Sequence, residues 1–156
     1  GYNLLLDQFA SFETVGERIA IYKEALEKHG RVFDPLNVGV TRAFFVAKNT
    51  AEKEAALERR MEAQRRLEAI SNAPDGTKSK ASIMTYSETR EASEESALYG
   101  SPDEIAVKLD NLRKLGVEYV LLNGGGLVGH ANDSLARFAR EVMPAFADES
   151  KRRVAG

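Results

Sequence analysis

The residues with the most chemical potential lie near the C-terminal end, in VEYVLLNGGGLVGHANDSLARFAREVMPAF. An apolar run, Val117 to Leu122, stops at Asn123 and meets Gly124, Gly125 and Gly126. Glycine tolerates positive φ and lets a ligand approach the backbone closely. Asn123 adds amide donors and an acceptor. One reading of residues 123–126 is therefore a ligand-lining segment at a strand end, and the other is a plain strand-to-helix loop. His130 follows in the same segment as a base or polar contact, or as an ordinary surface histidine. Arg42, inside the apolar stretch VTRAFF, is a second focus. A guanidinium there calls for an anion or a carboxylate, either in a bound ligand or in a structural ion pair. Arg90 is a third, in a polar stretch that also holds Lys78, Lys80 and Tyr86. It is read either as a substrate contact or as a solvated side chain. Gly124, Gly126 and Gly129 match GxGxxG spacing. That fingerprint must open a helix directly after the first strand of a βαβ unit, whereas polar residues 130–133 intervene here and no third strand follows.

Composition removes several other chemistries. The chain has 156 residues and no cysteine, which excludes disulfides, thiolate metal sites and cysteine nucleophiles. Its two histidines, His29 and His130, are far apart, so a histidine-rich metal cluster is not expected. His29 falls at a helix end and is explained by the helix dipole. A net charge of −2 leaves no basic footprint for nucleic acid. No apolar run approaches the roughly 18 residues of a membrane span, and no signal-peptide pattern opens the chain. The hydrophobic share of 43% and charged share of 29% are those of a globular domain. A cytoplasmic location suits this composition. The opening GYNLLLDQF reaches an apolar run with almost no lead-in, which suggests the later part of a longer protein.

The elements that must position these residues alternate in type. Tyr2 to Leu6 reads as a short strand. Residues 13–28 read as a helix with Val15, Ile19, Tyr22 and Leu26 on one face, stopped by Gly30. Residues 37–47 are β-branched and aromatic, a second strand. Thr50 serves as N-cap to a charged helix over 51–70, most simply a solvated face. Residues 71–80 have loop composition, and 81–99 are ambiguous between extended and weakly helical. Ser101-Pro102-Asp103-Glu104 is a capping box with proline at the first helical position. Its helix carries Ile105, Leu109 and Leu112 inward and ends at Leu115-Gly116. The strand 117–122 follows, then a helix over 134–143 stopped by Pro144. Three strands, apolar on both faces and alternating with helices, indicate a parallel sheet covered by helices. A complete (β/α)8 barrel takes about 250 residues, so the chain is a small α/β unit or the last part of a barrel.

Taken in order, these stretches resemble the C-terminal portion of the bacterial luciferase-like monooxygenase family. GYNLLLDQFAS resembles a late barrel strand, ERIAIYKEALEKHG the helix after it, and VGVTRAFFVAKNTAEKEA the next strand and helix start. YGSPDEIAVKLDNLRKLGVEYVLLN is similar to the family's penultimate helix and last strand, and SLARFAREVMPAF to its closing helix. Residues 71–98 match least. The Pro, Gly, Ser and Lys content of 71–98, without sustained apolar periodicity, marks that stretch as a mobile insertion. The resemblance implies the last strand–helix units of a (β/α)8 barrel, with 1–156 one domain. It implies reduced FMN, or a deazaflavin in one branch, with dioxygen and a small organic substrate. The flavin would be held at the C-terminal mouth of the barrel, near Asn123, Gly124, Gly125, Gly126 and Arg42. Arg90 and His130 would face the substrate. The family's early strands and its phosphate-binding serine segment have no counterpart here, so the catalytic residues are unassigned.

Three functions follow as alternatives: a flavin-dependent monooxygenase or a piece of one, a non-catalytic barrel module that binds flavin or a partner chain, and a small domain whose sheet edges pair in a homodimer. A three-stranded parallel sheet leaves open edges. Homo-oligomerisation, or a missing barrel half supplied by another chain, is therefore expected. Limited proteolysis should make its first cuts within residues 71–98; first cuts within 101–115 would refute the insertion assignment.

Overall fold

The computed structural model describes residues 3–71, 89–124 and 131–147. Strand β1 (Leu4–Leu6) leads into helix α1 (Phe12–Lys28), then β2 (Val38–Val46) and the long helix α2 (Thr50–Ser71). A short helix α3 (Arg90–Ser96), strand β3 (Leu98–Gly100), helix α4 (Pro102–Leu115) and strand β4 (Tyr119–Asn123) follow. Helix α5 (Ala131–Arg137) continues through a π turn (Phe138–Val142) and a 3-10 turn (Met143–Phe146). Pro144 thus sits within the closing turn, and the helix starts three residues earlier than expected, at 131 rather than 134.

Among the described residues all pairings are parallel and all involve β2. It pairs with β1 over Val38–Val40, with β4 over Gly39–Ala43 and with β3 over Phe44–Val46. The sequence predicts three strands. The fourth, β3, is three residues long and lies where the composition was ambiguous. Of the 71–98 segment, residues 72–88 lie outside the described residues, and 90–96 are helical.

Local chemistry explains the helix ends. Ser11 accepts from the Thr14 N–H at the start of α1, and His29 forms its C-cap. Asn49, not Thr50, caps α2: its Oδ1 accepts from the Glu52 N–H at 2.9 Å, while Glu52 accepts from the Lys48 N–H at 2.8 Å. Thr50 is already helical. The reciprocal bonds of Ser101 and Glu104 form the expected capping box, with Pro102 next. Gly116 closes α4 at φ 98°, where other residues are strained.

Leu6, Ala10, Val15, Ile19, Val38, Val40, Leu112 and Val117 pack α1 and α4 onto one face of the sheet. Phe44, Val46, Leu98 and Ile105 extend that core towards the turn residues Phe138 and Val142. Burying each large aliphatic side chain contributes about 1.5–3 kcal/mol. The expectation of strands covered on both faces fails at β1 and β4. Leu5 is 63% exposed and Tyr119 59%, with Leu121 also exposed. Gly39 lies between them: a Cβ there would meet Leu5 Cδ1 at 3.2 Å and a Tyr119 ring carbon at 3.3 Å. The open apolar face is thus confined to β1, β4 and the start of β2, whereas Ala43, Phe45 and Tyr99 pack with Ala56 and Leu57 of α2.

Ser101→Ala removes the acceptor for the Glu104 N–H and leaves α4 otherwise intact. It should lower stability by about 1 kcal/mol in urea unfolding, and an unchanged midpoint would show that the capping box contributes nothing.

Candidate functional site

Parallel sheets form ligand crevices beyond the C-terminal ends of their strands. Here β1 ends before Asp7 and Gln8, β2 before Ala47 and Lys48, and β4 at Asn123. The register aligns Ala43 of β2 with Asn123. The Asn123 amide donates to Gln8 Oε1 at 3.2 Å, joining the ends of β1 and β4 across β2. Gly124 continues directly from this junction. Gly125, Gly126 and His130 lie outside the described residues.

The end of β2 is completed by a helix instead of a strand. The Val46 N–H donates to Ser134 Oγ at 2.8 Å, and the Val46 carbonyl accepts from Arg137 Nη1 at 2.7 Å. Arg137 is held in turn by Glu141 through two bonds. Those bonds raise its pKa against the opposing effect of burial. Phe45, Lys48, Arg59, Asp133 and Ser134 line a cavity of about 230 Å³ between α2 and α5. A second, of about 370 Å³, lies between Lys48, Asn49, Lys53, Ser101 and Glu104. Both flank the residues that follow β2.

Arg42 is fully buried. Its Nη1 donates to the Asp7 carbonyl at 3.1 Å, and its Nη2 to the Ala10 carbonyl at 2.9 Å. The side chain therefore pins the loop after β1, and its guanidinium lies over the Phe12 ring. Burial pushes its pKa down to about 10, against the attraction of Asp7. Asp7 organises the same loop. Its Oδ1 accepts from the Phe9 and Ala10 N–H groups at 2.8 and 3.0 Å, and its Oδ2 pairs with Arg18 at 2.7 Å. Burial alone would raise the Asp7 pKa, but the bonds from Arg18, Phe9 and Ala10 outweigh it and hold the carboxyl below its usual value.

Arg90 is placed elsewhere. It opens α3 and pairs with Glu54 and Glu58 of α2. The structure thus brings Asn123 and Gly124 to the strand ends, sets Arg42 beneath the adjoining loop, and puts Arg90 in an ion-pair cluster on the helices. Sequence reasoning missed Gln8 and Asp7, although their position directly after an apolar strand was a usable signal. It also read α2 simply as a solvated face and singled out none of its buried residues. Ala56 and Leu57 of α2 are fully buried, and Arg60 is nine-tenths buried.

Parallel strands, crossover helices and a crevice at the strand ends define part of a (β/α)8 barrel. A profile of the luciferase-like monooxygenase family matches residues 1–119, and the chain belongs to that family. Among solved structures, it is similar to the monooxygenase RslO1 from Streptomyces bottropensis, at 18% identity and TM-score 0.62 over 92% of this chain and 42% of that one. It is also similar to the oxygenating constituent of 3,6-diketocamphane monooxygenase from Pseudomonas putida, a type II Baeyer-Villiger monooxygenase in complex with FMN. There the identity is 19% and the TM-score 0.59, over 90% of this chain and 42% of that one. A long-chain alkane monooxygenase aligns at 17% identity and TM-score 0.52, over 89% of this chain and 35% of that one. The chain therefore spans about two-fifths of the length of these structures. No curated protein sequence matches it.

The Asp7 carboxyl yields a pH prediction. Its folded pKa lies below the unfolded value of 3.8. Its stabilisation is therefore complete above that value and is lost as pH falls through the lowered folded one. Asp7→Asn should be less stable than the parent at neutral pH, and the gap in Tm should close as pH drops below about 4. A gap that stays constant across the acid range would refute the role of the ionised carboxylate.

Proposed function

We propose that this chain forms one wall of a flavin site in a monooxygenase that oxidises a small organic molecule with dioxygen. The observation that carries the reading is the junction of Asn123 and Gln8 at the C-terminal ends of β4 and β1, beside the open apolar face of Leu5, Tyr119 and Leu121. Family membership and an FMN-bound structural neighbour support it. The donor set fits the group. Neutral amides match the carbonyl and imide edge of a flavin ring, and an apolar sheet face suits its planar body.

When bound, reduced FMN supplies the electrons that activate dioxygen. The residues of this chain bind and orient. Asn123 and Gln8 present amide donors and acceptors at the mouth, and their mutual hydrogen bond limits where each amide can point. Arg42 acts beneath them as a positioning residue, because it holds the carbonyls of Asp7 and Ala10 and so fixes the loop that carries Gln8. Residues 123–126 line the flavin or substrate cavity, with glycines that let the ligand reach the backbone. His130 is assigned to the same cavity. A deazaflavin remains the alternative cofactor, and a barrel module that binds flavin without turnover the alternative function.

Asn123→Ala and Gln8→Ala should each weaken FMN binding about 3- to 10-fold, the loss of one or two neutral hydrogen bonds. Thermal unfolding should move little. The measurement is flavin fluorescence quenching beside a melting curve. FMN affinity unchanged in both folded variants would remove the strand-end junction from the site.

A further inference from the structure

Helix α2 carries a buried cation with no counter-ion among the described residues. The Arg60 guanidinium lies 5.8 Å from the Phe9 ring centroid and 6.0 Å from that of Tyr99. Its Nη2 donates to Ser96 Oγ at 3.3 Å, and Tyr99 is its other close polar neighbour. Both partners are neutral. Its Nε is buried and has no acceptor among the described residues. One turn along the same face of α2, Gln64 accepts from Ser93 Oγ at 2.7 Å, while its buried Nε2 has no acceptor among the described residues. A second guanidinium, that of Arg42, is near enough to repel Arg60.

Burying a charge without an opposite charge is unfavourable, and so is leaving a buried donor without an acceptor. Two such donors on adjacent turns, one of them on a guanidinium set between aromatic rings, match the oxygens of an oxyanion. We propose that Arg60 and Gln64, with the Ser93 and Ser96 hydroxyls opposite, form a receptor for an oxyanion group, the phosphate or carboxylate of a small ligand. This assignment does not rest on the flavin reading.

Helix α3 covers the receptor, and its attachments are polar. Its sequence, REASEES, holds one apolar side chain, Ala92. Arg90 pairs with Glu54 and Glu58, and Lys53 joins Glu94 at 2.6 Å and Glu104 at 2.9 Å. Lys108 donates to the Glu94 and Ala97 carbonyls. Lifting α3 exposes little apolar surface, so the receptor is reached by a local opening that leaves the core intact.

The probes are inorganic phosphate and acetate, each titrated against chloride at constant ionic strength, with thermal unfolding as readout and no flavin present. At least one of the two anions should raise the Tm of the parent protein in a saturable way. Arg60→Met should fold, since it removes an uncompensated buried charge, and should weaken the anion at least about tenfold, the worth of a charge-assisted hydrogen bond. Gln64→Leu keeps the guanidinium and should give a smaller loss. A response to phosphate alone identifies a phosphoryl ligand, and one to acetate alone a carboxylate. Equal responses in the parent and both variants, or no response to either anion in the parent, would overturn the assignment.

Discussion

The described structure hangs on the backbone of β2. A strand buried along almost its whole length must find partners for every N–H and carbonyl it carries, and β2 finds them in succession from β1, β4, β3 and finally α5. Each neighbour covers a short stretch, three to five residues long. None of those strands has a second described strand beside it. Their placement, and that of every loop at the strand ends, is inherited from register with this one element.

Charge is distributed according to what that frame leaves unmet. Arg42 supplies donors to carbonyls that no strand reaches once the chain departs from β1. Asp7 supplies acceptors to the N–H groups of the same loop. Further out, Lys53 links α2, α3 and α4 through two carboxylates. Its hydrogen bond to Glu94, then that to Glu104, raises the Lys53 pKa against burial. Lys108 behaves oppositely: burial lowers its pKa, and it finds backbone carbonyls instead of a direct carboxylate contact. Apolar packing secures α1 and α4, whereas α3 depends on polar contacts.

Much of this was legible in the sequence where one local pattern had one solution. The stripe of Val15 and Ile19, the capping box at Ser101 and Glu104, and Gly116 at the end of α4 all behave as expected. The family resemblance was carried by their order along the chain and is matched by the family profile. What escaped depends on distant partners. Leu98–Gly100 is too short to show periodicity, and it is a strand because Phe44–Val46 offers it a ladder. Asn49 and Thr50 are both good caps, and the position of Glu52 decides for Asn49. Arg60 sits among ERR and QRR, where nothing marks one arginine as buried. At the candidate site, Asn123 and Gly124 at a strand end are visible in one dimension, but the meeting of Asn123 with Gln8, 115 residues away, is not.

The attachment of α5 to Val46 has a consequence for how this fold diversifies. Asn123 is in register with Ala43, and Ser134 is fastened to Val46, so the chain between them leaves and rejoins β2 at points three residues apart. Such a closed excursion transmits little of its own variation to the scaffold, because its anchors, a backbone register at Asn123 and the Ser134 hydroxyl on the Val46 N–H, lie outside the excursion. New sequences can be tried at the mouth while the sheet that presents them keeps its geometry.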